Sequence, residues 1–282
     1  MGRYLILGAT GTLGRATIRA LLNAKDTESV TCLSRDELKQ FELKKELKDD
    51  RFHFVLGDIR DRQSIEPHFK GVDTVFHFAA LKRIPEMEAH PLESLKTNVL
   101  GTINAAECAL AAGVTHFVFS STDKACKPIN TYGACKFLSE QILFNLNARN
   151  ETNFSVYRWG NVLGSRGSVV HEFKNSIETR GMVSLTHENM TRFWIRIEDA
   201  VQFILRTYET RESVPKIPDM RSSKVIDMAL CVGRLLEKPF AIEVIGLRPG
   251  EKIHEDITPT LSSDKGEPIH PKVLLDLVKA VI

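Results

Sequence analysis

Six short β-rich runs alternate with helical patterns through the first 160 residues, and this alternation constrains the fold more than any other feature of the chain. The runs cover 4–7, 30–33, 52–55, 72–78, 116–120 and 154–158, with helix-like stretches at 12–23, 36–48, 62–69, 92–112 and 131–148. Strands alternating with helices of this length predict βαβ units and a parallel sheet. Several runs are almost unbroken Val, Ile and Phe, as expected where helices cover both faces. The expected fold class is α/β, a doubly wound parallel sheet. After residue 160 the rhythm breaks, and seven of the eleven prolines fall between 215 and 271. That composition predicts a smaller, loop-rich lobe. The chain is expected to divide into 1–163 and 164–282, with segments of about 190–210 returning to the first unit.

Composition excludes several classes. Hydrophobic residues make up 43% and charged residues 26%, ordinary for a globular chain. The net charge is +2, which gives no field to hold nucleic acid or an anionic membrane. No uncharged apolar run is long enough to span a bilayer, and 4–7 is too short for a signal peptide core. The five cysteines are widely spaced with no Cys-x-x-Cys, which argues for reduced thiols and against a zinc site. The nine histidines show no metal-ligand spacing, so no metal is expected. A cytoplasmic protein is expected. The charges of 35–51 balance, six basic against six acidic, which predicts a solvated amphipathic helix rather than a binding patch.

Gly8, Gly11 and Gly14 follow the first run and open the first helix, in the spacing G-x-x-G-x-x-G. Glycine permits a tight turn and lets backbone amides approach a pyrophosphate at a helix N-terminus. The second run ends at Ser34-Arg35-Asp36, where an acidic residue would hold a ribose 2′-hydroxyl and an arginine would accommodate a 2′-phosphate. Arg35 comes first, so NADP is favoured over NAD; otherwise Arg35 is a solvated residue and Asp36 a helix cap. Asp58, after the third run, is placed to approach the adenine, and Ala79-Ala80 leave room for the cofactor backbone.

Tyr132 and Lys136 lie at i and i+4 on one helical face. A nearby cation lowers the pKa of a phenol and makes it a usable base for a hydroxyl proton. The pair follows the fifth run, whose end is Ser120-Ser121-Thr122-Asp123-Lys124. Ligands of doubly wound sheets bind outside the strand carboxyl ends, so both groups should face one crevice.

These motifs, with Asn161-Val162-Leu163-Gly164-Ser165-Arg166-Gly167-Ser168-Val169, Met190-Thr191-Arg192-Phe193-Trp194 and Arg248-Pro249-Gly250-Glu251-Lys252, closely resemble the inverting UDP-N-acetylglucosamine 4,6-dehydratases. Those are extended short-chain dehydrogenases/reductases with a Rossmann-like fold, serving surface-glycan pathways. The resemblance implies that Tyr132, helped by Lys136 and Thr122, deprotonates the C4 hydroxyl while C4 passes hydride to NADP. Lys124 would then remove the C5 proton and Asp123 would protonate the departing C6 hydroxyl. Return of hydride to C6 would give a 4-keto-6-deoxy sugar inverted at C5. A lysine base must be neutral, so burial or cations such as Lys82 and Lys136 are expected to depress the pKa of Lys124. Retaining relatives carry Asp-Glu in place of Asp123-Lys124.

By the same resemblance, the cofactor contacts are Gly8, Thr10, Gly11, Thr12, Leu13, Gly14, Ser34, Arg35, Asp36, Lys39, Asp58, Ile59, Ala79, Ala80, Lys82, Tyr132 and Lys136. The contacts to UDP-N-acetylglucosamine are Lys82, Thr122, Lys124, Tyr132, Asn161, Ser165, Arg166, Gly167, Ser168, Val169, Phe173, Thr186, Arg248 and Glu251. Phe193 and Trp194 read more simply as core of a returning strand. The alternatives are a retaining dehydratase, a C4 epimerase, which needs no acid/base pair after Thr122, and a non-catalytic NADP sensor, which would not need both pairs intact. Ala105, Ala106, Ala109, Ala111 and Ala112 offer close-packing surface for a homo-oligomer, or else pack on the sheet.

Overall fold

The computed structural model describes residues 1–165 and 167–282. The predicted site residue Arg166 therefore lies outside the described residues. Strands β1 (Gly2–Leu7), β2 (Thr27–Ser34), β3 (Phe52–Leu56), β4 (Thr74–His77), β5 (His116–Ser120) and β6 (Asn153–Tyr157) form one sheet in the order β3-β2-β1-β4-β5-β6. Every ladder in it is parallel. The chain reverses direction across the sheet between β1 and β4, which opens a crevice at the strand carboxyl ends. The Rossmann-like α/β fold read from the sequence is the one observed.

Helices α1 (Thr12–Leu22), α2 (Glu37–Leu47), α3 (Arg62–Ile65), α4 (Ile84–Ala89), α5 (Pro91–Ser94), α6 (Gly101–Ala111) and α7 (Thr131–Asn147) fill the connections. Side chains alternate across each strand. Ile6, Phe76, Val118 and Tyr157 therefore pack on one face, and Leu5, Leu7, Val75, Phe117 and Phe119 on the other. The second face is covered by Ala105, Ala106 and Ala109 of α6 and Leu143 of α7. These three alanines pack against the sheet, so they are not an exposed contact surface. The expected helix at 92–112 contains a π-helical turn, Leu95–Leu100, which buries Thr97 and Asn98. Helix α2 is less amphipathic than its spacing suggests: Leu38 and Phe41 are exposed, while Gln40 is buried. The Gln40 amide donates to Ser34 O, Ser34 Oγ and Val55 O, tying β2 to β3.

Beyond β6 come β7 (Asn161–Leu163), α8 (Val169–Arg180), β8 (Met182–Leu185), β9 (Thr191–Arg196), α9 (Ile197–Thr207), β10 (Arg221–Lys224), α10 (Val225–Leu236), β11 (Ala241–Val244) and α11 (Pro271–Lys279). They make a three-stranded sheet, β10-β9-β7, and a two-stranded one, β11-β8. Val170, Phe173, Met228, Val232, Leu274 and Val278 form their separate core. Phe193, Ile195, Ala200 and Ile204 of β9 and α9 join the core of the large sheet instead. Among the described residues no helix is long and apolar enough to cross a membrane.

Candidate active site

The glycine turn is built for close backbone approach. Gly8 has φ +87°, and a Cβ there would lie 2.7 Å from Ala79 N. A Cβ on Gly14 would sit 2.5 Å from Gly8 O, so the turn folds directly onto α1. Gly11 is the N-cap of α1 and brings no side-chain acceptor to its first amides. An uncapped helix start of this kind suits an anion, and the cradle fits a dinucleotide pyrophosphate. Thr10 is buried, while Leu13 and Ala79 pack against the cores on either side of the sheet.

The end of β2 holds the other cofactor candidates. Asp36 caps α2 by accepting from Lys39 N at 3.0 Å and pairs with Lys39 Nζ. Arg35 is half-exposed, with Nη1 3.6 Å from Asp58 Oδ2. Asp58 also holds Arg60 at 2.6 Å, and the two guanidiniums keep its carboxyl below the usual carboxylate range against the opposing effect of burial. Ile59 turns into the core, where a Cβ on Gly101 would meet it at 2.8 Å, so only its backbone can serve a ligand. Ala80 is half-buried, Leu81 is locked by a reciprocal pair of 2.8 Å bonds to the Asn98 amide, and Lys82 is exposed.

The loop after β5 brings the chemistry together. Lys136 is buried, with Nζ donating to Ser120 O at 2.7 Å and lying 4.3 Å from the centre of the Phe119 ring. Burial pulls its pKa from 10.5 to about 7, against the opposing pull of Glu140. Thr122 and the nearby charge of Lys124 favour the phenolate of Tyr132, but burial outweighs both and pushes the phenol up to about 12. The expected lowering by a cation is reversed because desolvation wins. The Thr122 hydroxyl donates to Asp123 Oδ1 at 3.0 Å and caps the following turn.

Lys124 departs further from expectation. Its Nζ lies 3.0 Å from Asp123 Oδ1 and 3.4 Å from Glu255 Oε1. Burial pulls its pKa down, but the two carboxylates outweigh that and hold it above the ordinary lysine value. The cation acting on it is Arg192, 4.0 Å from Glu255, rather than Lys82 or Lys136. The resting residue is an ammonium, not the neutral amine expected.

The sequence reading missed four groups here. Glu255 and Arg192 complete the charge cluster. Glu140, fully buried, accepts from Ser121 Oγ at 2.5 Å and pairs with Arg158 at 2.5 Å, fixing β5, β6 and α7 together behind Lys136. Glu255 ended the motif-bearing stretch, but nothing in the spacing tied it to Lys124.

The remaining substrate candidates spread along the second unit. Asn161 is half-buried on β7, Ser168 is the N-cap of α8, Val169 begins that helix and Gly167 has φ +69°. Ser165 O accepts from Ser168 N at 2.8 Å. Phe173 is 5% exposed and packs into the lobe's core. Thr186 Oγ1 donates to Met190 Sδ at 3.5 Å. Arg248 and Glu251 close a turn on themselves at 3.1 Å, N to O. Phe193 and Trp194 are core residues of β9. His254 Nδ1 bonds Thr191 Oγ1 at 2.8 Å and so anchors its own segment. That segment is strapped over the β5 loop: Asn130 Nδ2 donates to Gly250 O at 2.7 Å, Lys252 Nζ to Cys126 O at 3.0 Å, and Lys127 pairs with Asp256 at 3.0 Å. Among the described residues, no three His, Cys, Asp or Glu side chains are grouped to hold a metal.

A nucleotide-type α/β crevice with a Tyr/Lys and an Asp/Lys pair at one strand end defines the class of site. The family model described as polysaccharide biosynthesis protein matches residues 4–274, and the chain belongs to that family. It is 39% identical over 259 residues to the UDP-N-acetylglucosamine 4,6-dehydratase (inverting) of Campylobacter jejuni, covering 89% of this chain and 75% of that one. It is 36% identical over 273 residues to a UDP-glucose 4-epimerase of Rickettsia bellii, covering 93% and 79%. The solved structure of Pen from Bacillus thuringiensis superposes with a TM-score of 0.91 at 29% identity, covering 99% and 97%. The fold is also that of DesIV, a dTDP-glucose 4,6-dehydratase from Streptomyces venezuelae, at TM-score 0.84 and 20% identity over 98% and 96% of the two chains. The motif-based resemblance to the inverting dehydratases is thus matched along most of the chain.

Proposed function

We propose that the protein is a lyase, a UDP-N-acetylglucosamine 4,6-dehydratase that inverts C5 and yields a UDP-4-keto-6-deoxy-L-arabino-hexosulose. The observation that carries this reading is the Asp123–Lys124 pair at 3.0 Å, beside Thr122 and Tyr132 at the end of β5. An epimerase needs only the Tyr/Lys half, and a sensor needs neither. The relationship to the inverting dehydratase of C. jejuni supports the lysine-bearing variant over a retaining enzyme.

Residues 1–163 would hold the dinucleotide and 164–282 the nucleotide sugar. A nicotinamide dinucleotide, when bound, supplies the oxidant that takes hydrogen from C4 and gives it back at C6. Gly8, Gly11 and Gly14 would receive its pyrophosphate, and Arg35 with Lys39 favours NADP through a 2′-phosphate. Tyr132, as the phenolate assisted by Lys136, takes the proton of the C4 hydroxyl, while Thr122 orients it. The resulting ketone acidifies C5–H; Lys124, as the amine, takes that proton. The C6–O bond then breaks and the oxygen leaves as water with a proton from Asp123. Hydrogen returns to C6, and C5 receives a proton on the face opposite Lys124, which inverts it.

A second copy of the chain would cover the face formed by exposed Leu92, Leu95 and Leu100 with Phe137 and Leu138, an isologous helix contact in the cytoplasm. Sedimentation would show a dimer or larger assembly. The main test is to incubate the protein with UDP-N-acetylglucosamine, without added reductant, and follow product mass. Loss of one water with inverted C5 is expected. Retained C5 would favour the retaining enzyme, and a C4 epimer without water loss would overturn the dehydratase reading.

A further inference from the structure

Glu255 stands 131 residues along the chain from Lys124, yet its carboxylate reaches the ammonium. We propose that Glu255 is a positioning residue that fixes the pH at which Lys124 can act as a base; this rests on the dehydratase reading above. The contact is built rather than incidental. Glu255 is 2% exposed, its N–H donates to Ser263 Oγ at 3.0 Å, and its carbonyl accepts from Ser263 N at 2.9 Å. Ser263 Oγ in turn donates to Thr191 O at 3.0 Å. Arg192 clamps the same segment from β9, donating to Lys252 O at 2.9 Å and Ile253 O at 3.0 Å. Both ends of the contact are therefore held in place.

The groups facing Lys124 are Asp123 from its own turn, Glu255 from the C-terminal segment, Arg192 from β9 and Tyr132 from α7. Each carboxylate gives one oxygen to the ammonium. The other oxygens, Asp123 Oδ2 and Glu255 Oε2, are buried with no hydrogen-bond partner among the described residues. Asp123 alone would make a simple ion pair. With Glu255 present, the ammonium is doubly countered and gives up its proton later, so the base is silenced until pH or ligand binding offsets one carboxylate. An anion within about 4–6 Å raises a lysine by roughly 1–3 pH units.

The experiment measures deuterium entry at C5 of UDP-N-acetylglucosamine product as a function of pD, for the NADP-loaded parent, Glu255→Gln and Glu255→Asp. Nicotinamide absorbance is followed in parallel to report C4 oxidation. In Glu255→Gln the acidic limb of C5 exchange should move down by about 1–3 units, with C4 oxidation still visible. Glu255→Asp, whose carboxylate is drawn back by one methylene, should move the limb the same way by less, and it decides the matter if the Gln variant does not fold. A parent that exchanges C5 while the folded variants keep its limb overturns the proposal alone. A parent with no C5 exchange overturns the dehydratase reading, and the proposal with it.

Discussion

Lys124 and Lys136 lie at the same strand end, both withdrawn from water, and they carry opposite tendencies. Lys136 faces a carbonyl oxygen and an aromatic ring, and burial brings its pKa down to about 7. Lys124 faces two carboxylates that overcome burial and keep it protonated. Desolvation is common to both, so the partners decide the outcome. An ammonium whose direct partners are dipoles loses the balance even with Glu140 nearby; one that meets two anions wins it.

The strongest way to break the contrast is to delete the lysine that the carboxylates hold. Lys124→Met should slow C5 exchange by about 10²–10⁴-fold, measured by deuterium wash-in. It should also lower unfolding stability by roughly 3–5 kcal/mol in denaturant titrations, since Asp123 and Glu255 are left facing each other. Tyr132→Phe should reduce C4 oxidation by about 10²–10⁴-fold, read as nicotinamide absorbance, while dinucleotide binding persists.

Lys136→Met should have the opposite effect on stability. Its folded pKa lies below its unfolded one, so between about pH 7 and 10.5 the unfolded chain binds the extra proton and stability rises with pH. The substitution should remove that slope and stabilise the protein at neutral pH by on the order of 1–3 kcal/mol, although C4 oxidation is lost. Nitrogen-15 resonances of the lysine side chains sharpen the same point: Lys136 should titrate near pH 7 while Lys124 stays protonated. The smallest effect is expected at Arg35. Arg35→Ala should erode a preference for NADP over NAD by about tenfold in binding titrations and leave both lysine titrations unchanged.

The six strands, their parallel sheet and the Tyr/Lys and Asp/Lys pairs were legible because they rest on local periodicity and on residues close in sequence. The packing of Ala105, Ala106 and Ala109 of α6 was not, since hydrophobic spacing cannot distinguish the sheet from a second copy; the apolar side chains left exposed nearby include Leu92, Leu95, Leu100, Phe137 and Leu138. The packing of Phe173 was not legible for a similar reason, as its motif neighbours say nothing of the core formed with Met228 and Val232. The charge of Lys124 was read backwards because its second carboxylate comes from a segment far along the chain. Local pattern identifies which groups are present, whereas long-range packing fixes their protonation.

The strap formed by Gly250, Lys252 and Asp256 on Cys126, Lys127 and Asn130 has a consequence for the order in which the protein matures. Synthesis delivers the N-terminal part first. The large sheet and the Tyr132–Lys136 face can therefore assemble before the strap has been made. The environment of Lys124 cannot, because Glu255 and its anchor Ser263 are made more than 130 residues after it. A nascent chain thus passes through a stage in which Lys124 has Asp123 beside it but not yet its second carboxylate.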